Sequence, residues 1–215
     1  MSSPYYQDDL VKLYLGDCLE ITEWCAADVL VTDPPYGMNY VSGMGLTPMG
    51  AIKNDDTPEA RDRALALWGD KPAIVFGTWK VPKPPQTRQC AIWHKAGGGL
   101  GMGDLSMPWG NTHEEIYLWG DGFTGKRRHS VITTHEARGG ASGPAAALGH
   151  PTPKPVGLME QLIATAPPGA IADPFAGSGA TLIAARNLGR PCIAVEIEER
   201  YCEGIAARLS QGVLL

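Results

Sequence analysis

The stretch V-L-V-T-D-P-P-Y-G at residues 29–37 joins a short apolar run to two consecutive prolines. The run predicts a buried strand that ends abruptly, because a proline has no N–H and fixes φ at about −65°. The residue before a proline is driven towards extended geometry, so the chain from Asp33 to Pro35 is stiff. Open α/β sheets bind their ligands at such loops, beyond the carboxyl ends of strands. We therefore expect an α/β sheet with a ligand site directly after residue 32.

This loop presents one carboxylate, proline carbonyls and one aromatic ring. Asp33 and the carbonyl of Pro34 can each accept a hydrogen bond from the exocyclic amine of a base, while the ring of Tyr36 stacks on it. Two acceptors favour a more tetrahedral nitrogen, whose lone pair can attack a methyl group. Such catalysis uses positioning and preorganised electrostatics, and it requires the ring of Tyr36 but not its hydroxyl. A proline-rich turn after a capping aspartate is the alternative interpretation of so short a motif.

A second stretch, residues 170–181 (A-I-A-D-P-F-A-G-S-G-A-T), predicts a strand, a tight glycine turn and a helix in succession. Gly177 and Gly179 allow the backbone to approach a ligand closely and to enter a helix at once. The next predicted strand, 192–195, is followed by Glu196, nineteen residues after Gly177. That spacing is typical of an acid that hydrogen-bonds ribose hydroxyls. The stretch therefore indicates a site for a nucleotide-like cofactor.

Four motifs in this order resemble those of the S-adenosylmethionine-dependent DNA amino-methyltransferases of the permuted kind, in which the catalytic loop precedes the cofactor loop. They are L-G-D-C at 15–18, D-P-P-Y at 33–36, H-P-T-P-K-P at 150–155 and D-P-F-A-G-S-G at 173–179, and the resemblance spans residues 13–209. It implies a Rossmann-like α/β fold with a doubly wound, mostly parallel sheet in circularly permuted order. It also implies S-adenosylmethionine as cofactor, double-stranded DNA as partner and a possible homodimer.

The resemblance assigns roles to individual residues. The catalytic set is Asp33, Pro34, Pro35 and Tyr36, and the cofactor set is Asp17, Cys18, Thr152, Lys154, Asp173, Phe175, Ala176, Gly177, Ser178, Gly179 and Glu196. In the family, the counterpart of Asp17 contacts the cofactor's adenine amine, and the next backbone N–H reaches the ring. The counterpart of Lys154 lies near the cofactor, where it could pair with the methionine carboxylate. A simple turn cap for Asp17 and a solvent-exposed lysine at a helix start are the alternatives.

Aspartate rather than serine before Pro-Pro-Tyr favours adenine N6 as the target within the family, with cytosine N4 as the alternative. RNA or protein-glutamine methylation usually places asparagine first and fits the permuted order less well. An inactive cofactor- or DNA-binding subunit is the alternative from another class, against which the intact Asp33 and Tyr36 argue. A dehydrogenase is disfavoured, because the glycine loop lies in the last fifth of the chain and no hydride-transfer acid or base is evident.

Length and composition predict one catalytic domain over residues 1–215, with a short target-recognition insert at about 120–150. No apolar run approaches the ~20 residues of a membrane span, and the polar start does not resemble a signal peptide. The five cysteines are scattered without a C-x-x-C pair, so neither a zinc site nor a disulfide framework is indicated. We expect no metal and a cytoplasmic location in a bacterial or phage-infected cell.

The net charge is −5, yet residues 126–129 read Lys-Arg-Arg-His. We expect Lys126, Arg127, Arg128 and Arg138 to contact DNA phosphates, with a solvated loop as the alternative. The insert that contains them is too short for an independent recognition domain, so target choice would depend on short loops or on a second subunit, or would be relaxed.

Four further patterns bear on the site. The glycine-dotted stretch from 37 to about 54 predicts a lid that orders on DNA. Residues 57–59 (T-P-E) predict a helix capped by Thr57, and the proline-rich stretch 78–88 predicts a crossover without a helix. His113-Glu114 is too short a motif to be called catalytic, and nothing nearby suggests a third metal ligand.

Overall fold

The computed structural model describes residues 2–37, 57–96, 106–135 and 153–211. Within these ranges one sheet of nine strands is flanked by four α-helices and a short 3-10 helix (Glu23–Ala26). The strands are β1 (Tyr6–Gln7), β2 (Val11–Leu15), β3 (Val29–Thr32), β4 (Ala73–Gly77), β5 (Gln89–Lys95), β6 (His113–Trp119), β7 (Val131–Thr134), β8 (Ile171–Asp173) and β9 (Cys192–Glu196). The helices are α1 (Glu59–Trp68), α2 (Val156–Ile163), α3 (Ala180–Asn187) and α4 (Glu199–Ser210).

The strands are ordered β1-β2-β9-β8-β3-β4-β6-β5-β7 across the sheet. All of them run in one direction except β1 and β6, which are antiparallel to their neighbours. This is the mostly parallel α/β sheet that the sequence predicted. We call the edge at which β2, β3, β4, β8 and β9 end the carboxyl edge, and the opposite one the amino edge. The two predicted ligand loops, after β3 and after β8, leave neighbouring strands at the carboxyl edge.

The centre of the sheet is buried on both faces. Every residue of β3, β4 and β8 is buried, which is the pattern of a parallel sheet covered on both sides. On one face, α2 and α3 pack against the apolar side chains of β3 and β8. On the other face, Trp24 and Trp68 stack with their ring centroids 5.9 Å apart. This rigid centre fixes the two loops that emerge from it.

One local expectation needs correction. Helix α1 begins at Glu59 with Pro58 at the N-cap position, so Thr57 lies one residue before the cap. Its Oγ1 still accepts a hydrogen bond of 3.4 Å from the N–H of Glu59. The proline has already turned the chain with φ of −75° and ψ of 5°, so the helix starts one residue later. The predicted insert at 120–150 also contains β7, which pairs in parallel with β5 and extends the sheet. The crossover at 78–88 has no helix, as predicted.

Two further sequence predictions concern a lid and a membrane span. The predicted lid lies outside the described residues from position 38 onwards. Among the helices that the structure describes, none has the length and apolar character needed to traverse a bilayer.

The glycine turn after β8 supplies a stability test with an internal control. Gly179 has a φ of +80°, and a Cβ there would lie 2.7 Å from Cγ1 of Ile205; Gly189 has a φ of +66° with open space around it. Both Ala variants bear the left-handed backbone penalty of about 1–2 kcal/mol, but only Gly179→Ala also overpacks the contact with α4, at about 1–3 kcal/mol more. Urea denaturation measures both free energies of unfolding, and equal losses would contradict this packing.

Candidate active site

The two loops at the carboxyl edge are joined by a buried hydrogen bond. The hydroxyl of Thr32, the last residue of β3, donates to Oδ1 of Asp173 at 2.6 Å, and both side chains are buried. The N–H of Phe175 donates to the same oxygen at 3.2 Å. Burial raises the pKa of Asp173 to about 6, although the hydrogen bonds from Thr181 and Thr32 act to lower it. Asp173 therefore ties the glycine turn to the strand that carries the proline loop.

Asp33 is the first residue after β3, and each of its carboxylate oxygens has a partner. The hydroxyl of Tyr36 donates to Oδ1 at 2.5 Å, and the ammonium of Lys154 donates to Oδ2. Burial raises the pKa of Asp33, whereas the charge and hydrogen bond of Lys154 oppose that rise. Burial and the negative charge of Asp33 push the pKa of Tyr36 well above its ordinary value. Tyr36 is therefore a hydroxyl donor that orients Asp33, a role that the sequence did not indicate.

A second carboxylate, Glu114 of β6, approaches Lys154 from the other side. Its Oε2 lies 3.2 Å from Nζ of Lys154 and forms an ion pair with it, but the geometry is not that of a hydrogen bond. Its Oε1 accepts a hydrogen bond from the ammonium of Lys95. Burial would raise the pKa of Glu114, but Lys154 and Lys95 hold it below its ordinary value. Burial disfavours the charge on Lys154, but Asp33 and Glu114 outweigh it and raise the pKa of the ammonium. We call the series Lys95, Glu114, Lys154 and Asp33 the charge chain.

The charge chain lies against aromatic rings from β4 and β5. Nζ of Lys154 is 5.1 Å from the ring centroid of Phe76 and 5.9 Å from that of Trp93, and Nζ of Lys95 is 4.7 Å from the latter. The indole N–H of Trp93 donates to Thr134 Oγ1 at 2.9 Å, which fixes the ring. Aromatic faces stabilise the two cations while limiting access of water. Only 7% of the Lys154 side chain is exposed, so the alternative of a solvent-exposed lysine is wrong.

The glycine turn after β8 encloses the second acid. Glu196 ends β9, is 6% exposed, and accepts from the N–H groups of Gly177 at 2.7 Å and Glu198 at 2.8 Å. Burial raises its pKa to about 7 despite these two hydrogen bonds. Asp17 follows β2 at the same edge and caps its own turn through the N–H of Leu19 at 2.8 Å. Acids beside a glycine turn at adjacent strand ends form a suitable cradle for a nucleoside.

Most of the predicted site residues are therefore brought to one edge. They end or follow β2, β3, β8 or β9 or precede α2: Asp17, Cys18, Asp33, Pro34, Pro35, Tyr36, Lys154, Asp173, Phe175, Ala176, Gly177, Ser178, Gly179 and Glu196. Thr152 and Arg138 lie outside the described residues. Within the described ranges, no three potential metal-ligating side chains (His, Cys, Asp or Glu) are grouped to hold a metal ion.

Glu114 and Lys95 are the members of the site that sequence reasoning missed. The sequence left the pair His113-Glu114 without a role, and residues 93–95 (W-H-K) give no indication of a partner for Lys95. Their meeting depends on the reversed direction of β6, which pairs Trp93 with Glu114 across the sheet. The lysine two residues after the tryptophan was the one available signal.

The basic segment 126–129 joins β6 to β7. Strand β6 runs against β4, so Trp119 pairs with Ala73 at the amino edge. Thr124 is anchored there, because its N–H donates to the carbonyl of Thr165 at 2.9 Å. Strand β7 begins at Val131 opposite Ile92, which is level with Gly77 at the carboxyl end of β4. Lys126, Arg127 and Arg128 are exposed, and their contact with DNA stays a prediction.

Comparisons with known proteins agree with this architecture. A family model described as DNA methylase, of the N6/N4 type, matches residues 78–208, well over half of the chain. The YubD protein of Escherichia coli (strain K12) is 29% identical over 214 residues, which cover 91% of this chain and 88% of that protein.

Solved structures extend the likeness to the fold. The M1.HpyAVI–SAM complex superposes with a TM-score of 0.64 at 21% identity and covers 93% of this chain and 99% of its own. The PvuII DNA methyltransferase, described as cytosine-N4-specific, has a TM-score of 0.65 at 16% identity, covering 96% of this chain and 89% of its own. At these identities the two structures establish the fold alone.

Proposed function

The chain belongs to the N6/N4 family of DNA methylases, and on that premise we propose that it methylates the N6 amine of adenine flipped out of double-stranded DNA. One observation carries this proposal. Asp33, the head of the D-P-P-Y loop, is a largely buried carboxylate paired with Lys154 beside the glycine turn. An amine acceptor and a cofactor cradle at one edge are the two parts that methyl transfer to a base requires.

S-adenosylmethionine is the methyl donor, as the resemblance implied, and a solved neighbour contains it. When bound, it supplies an electrophilic methyl group on a sulfonium. We assign its ribose hydroxyls to Glu196, its adenine amine to Asp17, and close backbone approach to Gly177 and Gly179. This assignment is supported by the position of Glu196, a buried acid at the end of β9 that contacts the N–H of Gly177 in the glycine turn.

Asp33 has acceptor capacity left for the target amine. A carboxylate offers about four lone-pair directions, and Tyr36 and Lys154 each occupy one of them. The remaining directions and the carbonyl of Pro34 can hold the two amine hydrogens, which leaves the nitrogen lone pair free to attack the methyl group. The amine loses its proton after the methyl has arrived. Electrostatic preorganisation of this kind is often the largest contribution to catalysis.

Tyr36 and Lys154 support that acceptor in different ways. The ring of Tyr36 is the stacking surface for the flipped base, while its hydroxyl orients Asp33. Lys154 keeps Asp33 ionised, and its ammonium has three donors, two of which face Asp33 and Glu114. The third is available to the methionine carboxylate, as the sequence resemblance predicted.

Cytosine N4 is the second candidate target. A solved protein of the same fold is described as cytosine-N4-specific, and cytosine offers the same amine geometry to Asp33. The aspartate that precedes Pro-Pro-Tyr favours adenine within the family.

Single-turnover transfer of radiolabelled methyl groups from S-adenosylmethionine to mixed-sequence duplex DNA tests the proposal. Asp33→Ala should yield no labelled DNA while calorimetry shows near wild-type cofactor affinity, because Asp33 accepts from the amine and Glu114 still balances the charge on Lys154. Tyr36→Ala should slow transfer by the equivalent of about 1–3 kcal/mol of lost stacking. Tyr36→Phe, which keeps the ring and loses only the hydrogen bond to Asp33, should lose less.

Nucleoside analysis of the labelled DNA then identifies the base. N6-methyladenine is expected, and N4-methylcytosine would select the second candidate. Near wild-type transfer by Asp33→Ala would contradict the mechanism whichever base is found.

Glu196 gives the cofactor site a pH dependence. Ribose hydroxyls donate to the ionised carboxylate, so cofactor affinity should rise as the pH increases through about 7, the pKa that burial gives this acid in the free protein. Glu196→Gln should weaken binding roughly ten- to hundredfold and lose this rise. Calorimetric titrations over pH measure both, and the cofactor's own titration is common to the two proteins. Parallel affinity curves for the two would overturn the placement of the ribose.

A further inference from the structure

Three large apolar side chains are exposed at the carboxyl edge. Trp79 is 65% exposed, Met107 60% and Trp109 84%. Trp79 comes two residues after β4 ends at Gly77, and Met107 and Trp109 precede the start of β6, which pairs with that end of β4. Strand β4 is the immediate neighbour of β3, from which the loop of Asp33 emerges. The exposed rings therefore lie beside the active site.

A groove beside Trp79 is lined by side chains that include Lys80, Asn111, His113 and Glu114. Glu114 belongs to the charge chain and faces Lys154, the partner of Asp33. The lining of the groove therefore includes a side chain that contacts the ion pair of the catalytic carboxylate.

The charges of this surface suit a polyanion. Lys80 is exposed, and its Nζ lies 5.9 Å from the ring centroid of Trp79. The carboxylate of Glu114 is balanced by two lysines, and Glu115 accepts a hydrogen bond from the hydroxyl of Tyr117 at 2.5 Å. Exposed aromatic rings combined with lysines are the features that bind nucleobases by stacking and phosphates by charge. The basic segment 126–129 carries positive charge but no large aromatic ring on which a base could stack.

We propose that this part of the carboxyl edge binds double-stranded DNA, with Trp79 stacking on a base beside the flipped target and Lys80 contacting a phosphate. We call it the tryptophan surface; it consists of Trp79, Lys80, Met107, Trp109, Asn111 and His113. The proposal rests on the function proposed above and adds the surface that receives the substrate. Flipping a base costs a few kcal/mol of lost stacking, and a tryptophan that stacks on the exposed neighbour offsets part of that cost.

The test compares variants of the intact protein on duplex DNA that the wild type methylates. Trp79→Ala should raise both the Kd for DNA, measured by fluorescence anisotropy, and the KM for DNA roughly ten- to hundredfold, with unchanged affinity for S-adenosylmethionine. Trp79→Phe keeps an aromatic face and should retain most of the affinity. Lys80→Ala should reduce the salt dependence of binding by about one phosphate contact. Leu67→Ala, which removes another exposed apolar side chain, this one near the amino edge, should change nothing.

Wild-type DNA affinity in Trp79→Ala, while the wild type methylates, would overturn the inference and leave the proposed function standing. A loss of affinity in the triple alanine variant of Lys126, Arg127 and Arg128 would in that case move DNA binding to the basic segment. A wild-type protein that methylates no DNA would contradict the proposed function itself, and the inference with it.

Discussion

The ion pair between Asp33 and Lys154 is the interaction on which the active site depends. A carboxylate this deeply buried tends to take up a proton, and a protonated acid presents fewer acceptor sites to an amine. Lys154 opposes that tendency, and Glu114 in turn stabilises the charge on Lys154. Because removing one partner of a buried pair leaves an uncompensated charge, the three segments that carry these residues must meet in one arrangement.

The sheet supplies that arrangement. Asp33 leaves the central strand β3, Lys154 precedes α2, and Glu114 returns on β6, the reversed strand beside β4. The hydrogen bond from Thr32 to Asp173 then fixes the glycine turn next to the same loop. The methyl donor and the amine acceptor can therefore face each other although their loops lie at opposite ends of the chain, since permuting the order of segments leaves the spatial neighbours unchanged.

Sequence reasoning identified the parts of the site whose chemistry is local. A few neighbouring residues are enough to predict the role of the prolines after β3, of the glycines after β8 and of Glu196. Glu114 could not be assigned, because its function arises only from strand pairing with β5, and a short apolar strand carries no sign of its direction.

The effect of Lys154 on the ionisation of Asp33 can be measured directly. The measurement is a ¹³C NMR titration of the side-chain carboxyls of labelled aspartates, with the Asp33 signal assigned through Asp33→Asn. Lys154→Met should raise the pKa of Asp33 above its wild-type value, because burial and the charge of Glu114 would then be opposed only by the hydrogen bond from Tyr36. Lys95→Met, one step further along the charge chain, should have a smaller effect. An Asp33 pKa that is unchanged or lower in Lys154→Met would contradict this account.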